Sequence, residues 1–119
     1  MKVVVTAKSA DRNSEVDPRF GRSPYFHIID TESGETEIVE NSDNVKAMQG
    51  AGIQSSQVIV DKKADVLLTG HCGPKAFEVL NKAGIKVVVG VEGKIPEAIE
   101  KLKNGEYEYS GSADVEPNW

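Results

Sequence analysis

The sequence has a single cysteine, Cys72, among its 119 residues. This excludes an internal disulfide, and it excludes a zinc or iron–sulfur cage built from several cysteines of the same chain. There is no apolar run of the ~18 residues that a membrane helix requires, and residues 1–6 turn polar too early for a secretory signal. The net charge of −5 argues against nucleic acid or an anionic membrane as a partner. We therefore expect a cytoplasmic protein.

Common catalytic and nucleotide-binding motifs are also missing. No nucleophile elbow or phosphate-binding P-loop occurs, and the Gly50-x-Gly52 pair lacks the rest of a dinucleotide fingerprint. What is present is an ordinary globular composition, with 39% hydrophobic and 28% charged residues. A chain of this length forms one domain, which can bury about two-thirds of the surface of its unfolded state.

The order of hydrophobic patterns predicts an α/β domain. β-Branched runs predict strands, which cover residues 2–7, 25–30, 36–40, 65–69 and 85–89. Amphipathic spacing predicts helices over residues 53–64, 74–83 and 95–102, although the triplet 58–60 would suit a strand equally well. The first helix is expected to bury a face made of Ile53, Val60 and Ala64. Because strands separated by helices run parallel and the first strands form a hairpin, we predict a five-stranded mixed sheet.

Ligands of such sheets bind beyond the carboxyl ends of the parallel strands. The loops expected to converge there are 8–24, 50–52, 70–74 and 90–93. Loop 70–74 joins a buried strand to a helix beginning at Pro74, so N–H groups and the positive end of the helix dipole face the crevice. There Cys72 is expected to be an accessible thiolate and His71 a second metal ligand. The alternative is a Cys72 that is a small buried hydrophobic residue and a His71 solvated in its turn.

Charge is unevenly distributed along the chain. The segment 8–22 carries a net charge of +1 and the remainder carries −6. Its cations are Lys8, Arg12, Arg19 and Arg22. The contrast suggests an anion site within an acidic shell, with a solvated loop of mixed charges as the alternative. Residues 106–119 hold four acidic residues and no Lys or Arg, and we expect a mobile acidic tail there. His27, flanked by apolar strand residues, is interpreted as structural.

Four blocks of the sequence resemble the dinitrogenase iron–molybdenum cofactor biosynthesis family. They occur in the family's order: DPRFGRSPYF at 17–26, GAGIQ at 50–54, TGHCGPKAF at 69–77 and AGIKV at 83–87. The resemblance covers residues 1–105 and leaves residues 106–119 as a tail. It implies a ribonuclease H-like fold of three layers. It also implies binding or carriage of an anionic iron–sulfur or molybdenum–iron–sulfur cluster, without catalysis.

The resemblance also implies which residues contact the cluster. His71 and Cys72 are the candidate metal ligands. The candidate cofactor-binding residues are Arg19, Gly21, Arg22, Gly73 and Lys75. Many family members lack a cysteine in the strand-to-helix turn, so the resemblance alone does not make Cys72 a family ligand. The dedicated nitrogenase carriers differ in the 17–24 loop. A nitrogenase role for this chain therefore does not follow from the resemblance.

Three functions follow as hypotheses. The first is a non-enzymatic carrier that receives a labile cluster from a donor protein and passes it to an acceptor. It would act as a monomer or a cluster-bridged dimer, because one thiolate is too few for a tight iron–sulfur site. The second is a thiol enzyme or redox protein with Cys72 as nucleophile and His71 as base. The third is a regulatory module that binds a phosphorylated ligand through the N–H groups of loop 70–74 and Arg19 or Arg22.

Overall fold

The computed structural model describes residues 1–41 and 51–115 of the chain, and in those ranges five strands and three helices follow in the predicted order. The strands are β1 (Lys2–Ala7), β2 (Tyr25–Asp30), β3 (Thr36–Glu40), β4 (Val66–Leu68) and β5 (Lys86–Val88). The helices are α1 (Ala51–Asp61), α2 (Pro74–Lys82) and α3 (Ile95–Lys103). Gly50, part of one predicted loop, lies outside the described residues. No helix within these ranges is long and apolar enough to cross a membrane.

The strands form one mixed sheet in the order β3-β2-β1-β4-β5, so the prediction of a five-stranded mixed sheet is confirmed. The central strand β1 pairs antiparallel with β2 and parallel with β4. β5 continues the parallel half, and β3 completes the antiparallel hairpin. That hairpin closes at Gly34, whose φ of 79° is the left-handed conformation that glycine adopts without strain.

Two hydrophobic layers lie on opposite faces of this sheet. Alternate residues of β1 enter different layers, since successive side chains of a strand point to opposite faces. Val3 and Val5 pack with α3, and Val4 packs with residues of α1 and α2. Residues 3–7 of β1 are fully buried as a result. The chain is therefore a single α/β domain of three layers, and its ribonuclease H-like relationship stays a prediction.

Helix α1 turns a different face to the core from the predicted one. Ile53 is 42% exposed, whereas Ser55, Ser56 and Ile59 are fully buried. Ala64 is buried as predicted, but it lies beyond the end of the helix. Hydrophobic spacing misplaces this face because two of the residues that occupy it are polar.

The buried serines of α1 are satisfied by hydrogen bonds. The hydroxyl of Ser55 accepts a bond from the Asn41 side-chain amide at 3.0 Å, and that of Ser56 donates to the Gly52 carbonyl at 2.6 Å. A Cβ at Gly52 would lie 3.3 Å from the Cβ of Ala76 on α2. Small residues therefore allow α1 and α2 to pack closely, and Gly52 belongs to a helix contact rather than to a ligand loop.

Candidate functional site

The three parallel strands β1, β4 and β5 end at the same edge of the sheet, and the loops that follow them meet there. Backbone hydrogen bonds join these loops: Phe20 N–H to His71 O at 3.2 Å, Gly90 N–H to Gly70 O at 2.7 Å, and Val16 N–H to Gly93 O at 2.9 Å. The predicted convergence of loops 8–24, 70–74 and 90–93 is therefore confirmed.

Loop 8–24 crosses directly over the end of β4. A Cβ at Gly70 would lie 2.6 Å from both the Cα and the carbonyl oxygen of Pro18, so only glycine fits at this position. The close approach lets Arg19 and His71 form a parallel β-bridge. Arg19 and His71 are thus brought to the same edge, as a shared anion site requires.

Polar contacts hold the start of loop 8–24 on the sheet. The Thr6 hydroxyl donates to the carbonyl of Asp17 at 2.7 Å and lies 2.9 Å from the hydroxyl of Thr69 on the neighbouring chain segment. The Asp17 carboxylate accepts the N–H of Arg19 at 2.9 Å. Burial nevertheless raises the pKa of Asp17, with the Arg19 N–H and the charges of Lys8 and Arg19 acting in the opposite direction. Arg19 is therefore placed by its backbone, and its side chain is exposed.

Helix α2 presents its N-terminus to this edge. Pro74 is its first residue, as predicted, and its N-cap, Gly73, contributes no side-chain hydrogen bond. The first backbone bond of the helix runs from Phe77 N–H to Gly73 O at 3.0 Å. Helix geometry therefore leaves the N–H groups of Lys75 and Ala76 without an acceptor inside the helix. Such an end attracts anions, because its N–H groups and the helix dipole favour negative charge.

A carboxylate from the acidic tail lies at the turn that precedes α2. Oδ1 of Asp114 accepts the Cys72 N–H at 2.7 Å, and Oδ2 lies 2.8 Å from Nδ1 of His71. The Asp114 N–H returns a bond to the Cys72 carbonyl at 3.2 Å. Farther back, Ser110 N–H donates to the Val87 carbonyl of β5 at 2.7 Å. The tail up to residue 115 is thus bound to the domain, in contrast to the mobile segment that its composition predicts.

His71 and Cys72 are adjacent in sequence but face opposite ways. The His71 side chain is 39% exposed, whereas Cys72 is fully buried in the hydrophobic layer that contains Phe20 and Leu80. Burial, with a smaller contribution from the Asp114 charge, raises the pKa of Cys72 to about 12. The expectation of an accessible Cys72 is therefore wrong, and the raised pKa argues against a thiolate at this position. The alternative, a small buried hydrophobic residue, is confirmed, since neighbouring side chains of an extended segment alternate between its two sides.

The other predicted site residues lie on the two segments that the Arg19–His71 bridge joins. Gly21 and Arg22 belong to a short 3₁₀ turn, Phe20–Arg22, and both are half-buried. Gly73 is the N-cap of α2, and Lys75 is exposed in its first turn. In the described ranges no group of three or more His, Cys, Asp or Glu side chains could hold a metal ion. The edge thus places backbone N–H groups, the cations Arg19, Arg22 and Lys75, and the partly exposed His71 close together.

His27 lies away from this edge and is fully buried in β2. Its Nε2 lies 2.8 Å from the Ser9 carbonyl, which can only accept, so this nitrogen carries the proton. Burial lowers the pKa of His27, opposed by the Ser9 hydrogen bond and the charge of Asp11. A neutral, buried ring that fastens the start of loop 8–24 agrees with the structural interpretation of this residue.

Fold and edge together define a small α/β protein whose loops converge at the carboxyl ends of its parallel strands. It belongs to the dinitrogenase iron–molybdenum cofactor family, whose model matches residues 1–105. An uncharacterized protein of Methanocaldococcus jannaschii is 32% identical over 99 residues, covering 81% of this chain and 83% of the relative.

Two solved structures share the whole fold. The apo form of the orange protein from Desulfovibrio gigas superimposes with a TM-score of 0.93 at 36% identity, covering 96% of both chains. A NifB-like protein of the DUF35 family from Thermotoga gives a TM-score of 0.83 at 35% identity, covering 96% of this chain and 97% of that one. This chain therefore has the same fold as both of these proteins.

Proposed function

We propose that this protein binds an anionic metal–sulfur cluster, of iron–sulfur or molybdenum–iron–sulfur type, and carries it from a donor protein to an acceptor during metallocluster biosynthesis. Membership of the cofactor family supports the class of ligand. The observation that carries the proposal is the carboxylate of Asp114 held by the Cys72 N–H and His71 in the turn that precedes α2. Donors that hold a carboxylate also suit the anionic atoms of a cluster.

The composition of the edge favours a weakly held cargo. Backbone N–H groups and the cations Arg19, Arg22 and Lys75 would neutralise the cluster, and His71 would be its ligand to metal. Cys72 could ligate through sulfur only if its side chain left the core, so we assign it the N–H contact. A site with few bonds to metal releases its cluster readily, which suits a carrier acting as a monomer or as a cluster-bridged dimer in the cytoplasm.

The geometry argues against the thiol-enzyme hypothesis but leaves the phosphorylated-ligand hypothesis open. A thiol enzyme or redox protein needs a thiolate, and burial raises the pKa of Cys72, which disfavours that form. We therefore propose a protein without catalytic activity. A phosphorylated ligand would use the same N–H groups and cations as a cluster, so the experiment has to separate those two ligands.

The test is anaerobic reconstitution with ferrous iron and sulfide, with and without molybdate, followed by desalting. The readouts are the visible absorption spectrum and the metal and sulfide content. We expect a coloured protein whose cluster content falls several-fold in His71→Ala. Arg19→Ala should weaken retention most at high ionic strength, because salt screening adds to the lost charge. The matched control is Arg12→Ala, which removes the same charge from the same loop but lies beside a separate cavity next to α3.

Two outcomes would contradict the proposal in different ways. Equal loading of the wild type and a His71→Ala/Arg19→Ala double variant would remove the assigned site. A wild type that retains no metal or sulfide, but binds phosphate with the same dependence on His71 and Arg19, would make the protein a phosphate-ligand module. Both side chains are exposed or partly exposed, so their substitution should change stability by less than about 1 kcal/mol, which thermal unfolding can check.

A further inference from the structure

We propose that residues 106–115, here called the strap, block the anion site of the empty protein and leave it when a ligand binds. The inference rests on the proposed function only in taking this edge as the binding site. The strap lies beyond residue 105, where the match to the family model ends. The strap would therefore regulate access to a site formed by residues 1–105, the part of the chain that matches the family.

The contact made by Asp114 is the first argument. Its two carboxylate oxygens take the Cys72 N–H and the His71 ring nitrogen, at 2.7 and 2.8 Å. A backbone N–H offers a single proton, so an anion that used it would have to replace the carboxylate. The strap and an anionic ligand cannot occupy these donors together, and the carboxylate is a competitor built into the chain.

The way in which the strap is held is the second argument. It is fastened at Tyr107, which packs half-buried against the α3-side layer, and at Ser110, which bonds to the outer strand β5. The residues between these fastenings and Asp114 are mostly exposed, including Gly111 and Ser112. A segment with few buried contacts opens at low cost, so its end can lift without unfolding the domain.

Charge is the third argument. The strap carries Glu106, Glu108 and Asp114 and contains no Lys or Arg. In place, it adds negative charge beside donors that favour anions, and it therefore opposes a second anion. A ligand with one or two acceptor atoms gains little from displacing it. A cluster with several anionic atoms, which also meets the cations of loop 8–24, gains more, so the strap would select against small anions.

The experiment compares the wild type with three variants of the full protein. Asp114→Ala removes the competing carboxylate. Glu108→Ala is its matched control, since it removes one carboxylate from an exposed part of the same strap. A stop codon after Gly105 removes the strap together with residues 116–119. For each protein, we would measure hydrogen exchange of the Cys72 amide by NMR, the dissociation constants of inorganic phosphate and molybdate, and cluster retention after anaerobic reconstitution.

A strap that is closed about 90% of the time weakens apparent binding about tenfold, because only the open fraction can bind. We therefore expect Asp114→Ala and the truncation to exchange the Cys72 amide faster and to bind at least one of the three probes about tenfold more tightly. Glu108→Ala should match the wild type in both measurements.

The two proposals fail in distinguishable ways. If neither Asp114→Ala nor the truncation improves binding of phosphate, molybdate or cluster, the strap proposal is overturned, whether or not the wild type loads a cluster. If no variant retains a cluster while phosphate or molybdate binds more tightly without the strap, the cluster function fails and the strap stands. If Glu108→Ala tightened binding as much as Asp114→Ala, the effect would come from the overall negative charge of the strap and not from the Asp114 contact. That result would also overturn the strap proposal.

Discussion

Loop 8–24 and the strap are both irregular segments, and both reach the edge formed by loop 70–74, yet they are held in different ways. The loop is joined to its neighbours by repeated backbone hydrogen bonds and buries Val16 and Phe20. The strap is also joined to the domain by backbone bonds, from the N–H groups of Glu106, Ser110 and Asp114, but none of residues 106–115 is buried. An irregular segment is thus fixed by the partners of its N–H groups and by its buried side chains, not by its secondary structure.

This difference suits the two roles proposed for these segments. Arg19 must hold its position if it is to neutralise a ligand, and the loop fixes its backbone beside His71. Asp114 must be able to leave, and it is the end of a weakly held segment. The following predictions test whether the loop is the rigid partner and the strap the exchangeable one.

The largest expected effect concerns the thiol that lies beneath both segments. A pKa of about 12 for Cys72, in place of the ordinary value, lowers the thiolate fraction near neutral pH by roughly a thousandfold. Since the thiolate is the reactive form, alkylation of the folded protein should be slow near neutral pH. Its rate should keep rising about tenfold per pH unit through pH 9, where the rate of an ordinary thiol levels off because that thiol is already ionised.

Alkylation with iodoacetamide, followed by mass spectrometry, measures this rate, and the protein unfolded in urea is the control. Truncation after Gly105 should leave Cys72 slow, because burial in the core is the main cause of the raised pKa and the Asp114 charge is the lesser one. Rapid alkylation of the truncated protein alone would show that the strap, not the core, protects the thiol.

The next effect concerns the crossing of loop 8–24 over β4. Gly70→Ala places a Cβ 2.6 Å from backbone atoms of Pro18, which cannot move without shifting the loop. We expect the free energy of unfolding to fall by about 2–3 kcal/mol, as for other overpacked sites. Gly111→Ala in the strap is the matched control, because no atom lies within 4 Å of its added Cβ, and it should change stability by less than about 0.5 kcal/mol. Urea unfolding would measure both, and equal losses would contradict the contrast between the two segments.

A smaller effect on stability is expected when a serine hydroxyl is removed from loop 8–24 than when Gly70 is replaced, and a serine of the strap provides the comparison. The hydroxyl of Ser23, at the end of loop 8–24, is fully buried, accepts the Ala7 N–H at 3.1 Å and donates to the Tyr25 carbonyl at 2.7 Å. Ser23→Ala leaves that N–H without its acceptor, so we expect a loss of about 1–2 kcal/mol in the free energy of unfolding. Ser110→Ala removes an exposed hydroxyl that bonds within the strap to the Ser112 carbonyl, and it should cost almost nothing. A loss in Ser110→Ala as large as that in Ser23→Ala would show that the strap is as firmly built as the loop.

Much of the fold could be predicted because its signals are local. The bounds of β1, β2 and β3 agree with the sequence pattern to the residue, since β-branched runs are interrupted by turn residues on either side. The buried face of α1 could not be predicted, because it contains Ser55 and Ser56, whose hydroxyls are satisfied by the Asn41 amide and by the Gly52 carbonyl one helical turn earlier. Hydrophobic spacing cannot identify a buried polar residue that an amide or a carbonyl satisfies.

The candidate site divides in the same way. Pro74 after a glycine-containing turn was enough to predict an open helix N-terminus at this edge. The role of Asp114 had no local signal, because its partners lie more than forty residues earlier in the chain. Acidic composition alone made the tail look solvated, and the N–H group and imidazole that hold it become neighbours only after the sheet has formed.

The sequence by itself determined the order of strands and helices, the mixed sheet and the edge at which the loops converge. These follow from periodicity, turn residues and the rule that parallel strands end together. Only the tertiary structure decided that Cys72 enters the core while His71 faces outward, and that a carboxylate of the same chain accepts the Cys72 N–H and contacts His71. The physical reason is distance along the chain, since both depend on desolvation and hydrogen bonds between segments that meet only in the folded state.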